Sequence, residues 1–139
     1  MNNTLHLIAL ACFACVSFSL SMEDFELQRT LELQKHTWPL RHDLNKLKKI
    51  TARSKCNLNN EQQEKLEWYN GTITSSLDEI LKQCDHVRMN ISQKKFSLIE
   101  AQLQTAQAQL AKARLELTEY KTIVGDTLKI DIETQQPKL

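Results

Sequence analysis

Three histidines, His36, His42 and His86, and two cysteines, Cys56 and Cys84, are the groups best suited to chemistry once the N-terminal segment is set aside. A zinc ion needs histidine and cysteine ligands at short, regular spacings. No two of these histidines stand four apart, and no such spacing joins one to a cysteine. The chain has no glycine-rich phosphate loop and no Gly-x-Ser-x-Gly turn. Asp85 and His86 read as a chance neighbour pair. The expectation is a protein that is not an enzyme, with no catalytic residue, no metal site and no cofactor.

What remains is chemistry done to the chain. Asn70-Gly71-Thr72 and Asn90-Ile91-Ser92 are acceptor sequons for N-glycosylation in a secreted protein. Cys56 and Cys84 form an even pair, which in an oxidising compartment implies one disulfide. Arg41, Lys46, Lys48, Lys49, Arg53 and Lys55, preceded by Lys35 and opposed by Asp43, form a candidate anion-binding patch. A sulfated glycan or an anionic membrane surface would suit such a cluster, but a solvated helix face explains it more simply. Nucleic acid is not an expected partner outside the cell. Trp38 and Trp68 read as core anchors, not as ligand platforms.

Secretion is itself an inference from sequence. Leu5 to Leu20 reads LHLIALACFACVSFSL, and no Asp, Glu, Lys or Arg precedes Glu23. That run suits the apolar region of a secretory leader. Ser19 and Ser21 are small residues at the −3 and −1 positions of a peptidase site, so cleavage is expected after Ser21. A membrane anchor would need roughly 20 apolar residues, usually with basic flanks. This run is shorter, and acidic residues follow it. Cys12 and Cys15, spaced Cys-x-x-Cys, and the sequon at Asn2 fall in the leader, 1–21. No transmembrane segment is expected after cleavage, and the localisation read here is extracellular.

The elements that position these groups are helical. Only 2 Gly and 2 Pro occur in 139 residues, against abundant Leu, Gln, Glu, Lys and Ala. With 18 Lys+Arg and 17 Asp+Glu, the chain is nearly neutral overall. Helices are expected at about 22–53, 60–70, 74–91 and 93–124, forming one bundle domain over 22–125 with a flexible tail, 126–139. Leu27, Leu31, Gln34 and Trp38 recur at helical spacing, and Pro39 predicts a kink or a new helix start. Asn59 or Asn60 can cap the second helix, with Gln62 or Gln63 reaching back. The clearest pattern is the seam Phe96, Ile99, Leu103, Ala106, Leu110, Ala113, Leu117, Tyr120, Val124, whose steps alternate three and four. It predicts a long coiled-coil-like C-terminal helix, with Gly125 at its cap.

The disulfide constrains this reading. A straight helix from Asn60 would carry Cys84 roughly 36 Å from its start. Bonded cysteines have Cα atoms about 5–6 Å apart. Either the helix reverses, or the cysteines pair between chains, or they stay free. Tyr69-Asn70-Gly71-Thr72 is the natural reversal point, and an intrachain bond stapling the bundle is the favoured expectation.

The fold class predicted is thus all-α, a small disulfide-stapled helical bundle. Its expected function is binding a protein partner through a helix face in an extracellular fluid. The partner is unknown, a receptor or a second copy. The architecture resembles a short four-helix cytokine in being secreted, helical, glycosylated and lightly disulfide-bonded, which implies a soluble signalling ligand as one alternative. A structural homo-oligomeric coiled coil and a lipid carrier are the others.

Overall fold

The computed structural model describes the backbone of residues 2–138 and the side chains of residues 22–138. It is all-α. Three helices follow one another, α1 (Asn2–Arg53), α2 (Asn60–Ser92) and α3 (Ile99–Leu128), with 3-10 turns at Lys55–Asn57 and Phe96–Leu98. The proposed leader and its cleavage point at Ser21 lie outside the residues whose side chains are described. No helix among the described residues is long and apolar enough to cross a membrane.

Local sequence explains the helix ends. Asn59 Oδ1 accepts from the Gln62 N–H at 2.8 Å, and Gln62 Oε1 accepts from the Asn59 N–H at 3.0 Å. This reciprocal box satisfies two donors that a helix start otherwise leaves orphaned. Gln63 Nε2 donates to the carbonyls of Lys55 and Leu58, which ties down the preceding loop. The buried stripe of α2, Leu66, Ile73, Leu77, Ile80, Cys84, Val87 and Ile91, is out of phase with the seam that starts at Phe96, and α2 ends between them at Ser92. Lys94 adopts a left-handed conformation, φ 57°, and the Lys95 N–H closes on the Asn90 carbonyl at 2.8 Å. α3 stops past Gly125, which lies inside it. Lys129 takes the left-handed capping conformation, φ 54°, and the Ile130 N–H reaches the Gly125 carbonyl at 3.1 Å.

The helices run up, down, up. α2 lies antiparallel to α1, with Arg41 on Asp78 and Lys48 on Thr74. α3 is parallel to α1, because Arg29 meets Glu100 while Asp43 meets Lys121 further along both. The core is one cluster drawn from all three helices. From Ile99 to Val124 every seam position is buried, and Phe96 is half-buried against the same cluster. Each fully buried Leu or Ile contributes about 1.5–3 kcal/mol of transfer free energy. Ala106 and Ala113 let the neighbouring helices approach closely. Of the expected flexible tail, 126–139, residues 126–128 belong to α3, and residues 129–138 fold back through an Ile130–Pro137 bridge, with Ile130 and Ile132 packed on the core.

Four expectations are corrected. α2 passes through Asn70 and Gly71 without reversing; one exposed glycine costs a helix only about 1 kcal/mol. Consequently Cys84 lies deep in the bundle, 24 helical steps from the loop that holds Cys56, and both thiols are free. Of the two outcomes expected at Pro39, the new helix start is excluded: α1 continues through Pro39, whose exposed position turns the missing hydrogen bond toward water. The two tryptophans are not core anchors, being 68% (Trp38) and 59% (Trp68) exposed.

Candidate functional site

Between Leu27 and Trp38, α1 carries two rows of side chains, and the one turned inward is the less apolar. Thr30, Leu33 and Thr37 face the core. The threonine hydroxyls donate to their own helix, Thr30 Oγ1 to the Glu26 carbonyl at 2.8 Å and Thr37 Oγ1 to the Gln34 carbonyl at 2.7 Å. With the hydroxyl satisfied locally, only the methyl needs packing, so a threonine serves as a small core residue.

The apolar row faces away. Leu27, Leu31 and Trp38 are 37%, 46% and 68% exposed. Their spacings of four and seven place them on one line along the helix. Exposed Asp24 lies one turn before this row, and exposed Asn45 and Lys49 extend it toward the C-terminus. Isolated surface apolar residues need no explanation, but an aligned row ending in a bare tryptophan does.

The flanks of α1 are fixed by ion pairs that periodicity does not announce. The Arg29 guanidinium reaches the Glu100 carboxylate at 2.7 and 3.3 Å and also lies 5.7 Å from the Phe25 ring centre. That hydrogen bond holds the Glu100 carboxyl below its ordinary range and raises Arg29. Arg88 on α2 donates to Gln34. These contacts leave the Leu27–Trp38 row outside the bundle.

The basic patch is broken up. Arg41 pairs with Asp78 at 2.7 Å, Lys46 with Glu133 at 3.7 Å and Lys55 with Glu67 at 4.0 Å, while Lys48 donates to Thr74 Oγ1. Among the described residues only Lys49 and Arg53 of the six lack a polar partner. The geometry is that of a solvated face, not a convergent anion cradle.

The sequons differ in setting. Asn90 is buried, and its Nδ2 donates to Gln102 Oε1 at 2.7 Å, bridging the α2–α3 turn. Asn70 is half-buried on α2. Its Oδ1 and the buried Tyr120 hydroxyl each lack a hydrogen-bond partner. Burial pushes the Tyr120 phenol up, while the nearby Thr51 and Asn70 groups pull it down. Thr51 and Asn70 also line a cleft of about 200 Å³ between the end of α1 and the start of α2. Of the thiols, Cys56 is exposed in the loop and Cys84 is buried with Sγ 3.9 Å from the Thr30 carbonyl. Burial raises the Cys84 thiol, Arg88 opposes that, and Asp85 adds to it.

No group of three or more histidine, cysteine or carboxylate side chains is arranged to hold a metal among the described residues. Comparison with protein-family models, with curated proteins and with solved structures finds no match to this chain.

Proposed function

We propose that this chain is a secreted, non-enzymatic helical protein that binds a protein partner in an extracellular fluid through the outer face of α1. One observation carries the reading: Leu27, Leu31 and Trp38 form an aligned apolar row on a helix whose inward face is already packed. The apolar stripes of α2 and α3 are consumed within the bundle and offer no comparable surface. Tryptophan is over-represented among residues that dominate binding energy, because it brings a large rigid apolar area at low entropic cost. A helix laid against a groove through residues spaced three, four and seven apart is a recurring mode of recognition. The interior is filled by Leu, Ile and Ala side chains, which favours a solid bundle over a lipid carrier. Asn70, the less buried acceptor, is the better position for a glycan.

The test is site-specific photocrosslinking in the native fluid or on cells exposed to the protein. A photoreactive residue at Leu31 is expected to give a discrete protein adduct, and one at exposed Gln104 on α3 is not. Absence of any adduct at Leu31 refutes the reading, as does an equal yield at both positions.

A further inference from the structure

The α1 face has a polarity that selects its partner. Read along the outward face, the residues are Asp24, Leu27, Leu31, Trp38, Asn45 and Lys49, with exposed Lys35 and His42 beside them: acid at one end, the three large apolar side chains in the middle, base at the other. The Lys35 ammonium is paired within its own helix, 3.8 Å from the Glu32 carboxylate. Asp24 and Lys49 are exposed, and neither has an ion-pair partner among the described residues. Asp24 and Lys49 stand about 37 Å apart along the helix. Laid parallel on itself, such a face would set acid on acid and base on base. Laid antiparallel, it is self-complementary.

We propose that the partner is a second copy of this chain, paired through α1 in an antiparallel, two-fold arrangement centred between Gln34 and Lys35. This rests on the reading of the α1 face as a binding surface and names what covers it. With that centre, Leu31 of each copy lies opposite the partner's Trp38, so the two largest contacts are made by the same pair used twice. An isologous interface requires this relation, in which residue i meets j and j meets i. Leu27 lies opposite the partner's His42. Asp24 lies opposite the partner's Asn45, one turn from the partner's Lys49 and within reach of its flexible stem. The exposed ends thus supply direction and register, and the leucines and tryptophan supply affinity. With three apolar side chains per copy, the interface belongs among small, reversible contacts, with dissociation in the micromolar range.

Sedimentation of the purified chain beginning at Met22, across micromolar concentrations, tests this. The expected result is a reversible monomer–dimer equilibrium unaffected by reducing agent, with Trp38 emission shifting to the blue on dimerisation. Trp38→Asp is expected to abolish the dimer. Leu31→Gln, a milder change at an exposed position, is expected to weaken it at least tenfold if the first variant folds poorly. Asp24→Lys alone is expected to weaken pairing several-fold, and Asp24→Lys combined with Lys49→Asp to restore it. A chain that is monomeric at every concentration overturns the proposal, and so does a dimer indifferent to both Trp38→Asp and Leu31→Gln. Failure of the double charge swap overturns the antiparallel register. If the purified chain is monomeric while Leu31 crosslinks to a different protein, self-pairing fails and the binding reading stands. If Leu31 crosslinks to nothing, both fail.

Discussion

Tyr120→Phe isolates a single buried polar atom. The Tyr120 side chain is fully buried, and its ring stacks on Tyr69 at 5.6 Å with the planes 6° apart. Phenylalanine keeps that ring and removes only a hydroxyl that has no hydrogen-bond partner. A buried hydroxyl left unpaired costs about 1–3 kcal/mol of desolvation, whereas one that is bonded contributes about 1 kcal/mol. The phenylalanine variant is therefore expected to be between neutral and about 1 kcal/mol more stable in urea or thermal unfolding, allowing for a small void. For a chain of this size that is a rise in midpoint of up to roughly 5 °C. The pH dependence gives a second reading of the same atom. Burial raises the Tyr120 pKa above its unfolded value of about 10. The folded state holds this proton more tightly than the unfolded chain does. Stability associated with the neutral phenol is thus intact below about pH 10 and declines as pH rises toward and through the folded pKa. The variant should lack that decline, so its advantage should widen above pH 10. A loss of 1 kcal/mol or more at neutral pH would refute the reasoning, because it would show the hydroxyl bonded to Thr51 or Asn70.

Gly71→Ala should stabilise the protein by about 0.5–1 kcal/mol, since an added Cβ at this exposed helical position meets nothing within 4 Å; destabilisation in urea would revive a turn at Asn70-Gly71. In the native state only Cys56 should react quickly with a thiol reagent, Cys84 following at the rate of unfolding, and an intact mass showing an intramolecular bond would contradict the unbroken α2. Expressed in a eukaryotic secretory host, the folded protein should carry no glycan at Asn90, because its Nδ2 is buried and already donates to Gln102; peptide mapping that finds Asn90 occupied would show that the α2–α3 turn is packed differently. Leu103→Ala, at a fully buried seam position, should cost about 2–5 kcal/mol by chemical denaturation, and a loss below 1 kcal/mol would mean the seam is not core.

The sequence was most legible where one period ran unbroken. The stripe from Ile99 to Val124 is one face of one helix, and its alternating steps have no other apolar row to compete with. The Asn59–Gln62 box was also readable, because capping depends on residues only three apart. Legibility failed where two rows competed. On α1, Leu27, Leu31 and Trp38 look like the inner face by hydropathy alone, yet Thr30, Leu33 and Thr37 take that place. Their claim depends on hydroxyls satisfied by the preceding turn and on the helices they meet, neither of which hydropathy records. Asn70-Gly71 failed differently. Local turn propensity was set against continuous packing from Leu66 to Ile80, and burial of that stripe outweighs the roughly 1 kcal/mol a glycine costs. The inference of a staple between Cys56 and Cys84 depended on that reversal and falls with it. Arg29–Glu100 and Asn90–Gln102 join residues whose partnership only the fold establishes, and no spacing rule would have found them.

Cys56, solitary and accessible at the bundle's tip, doubles as a molecular ruler. In the antiparallel pair it stands some twenty residues from the dyad, so the two sulfurs would point to opposite extremities roughly 60 Å apart. Spin labels attached there should therefore report one long, narrow distance distribution. Aerial oxidation, conversely, could only stitch separate pairs into chains, never the two halves of one pair.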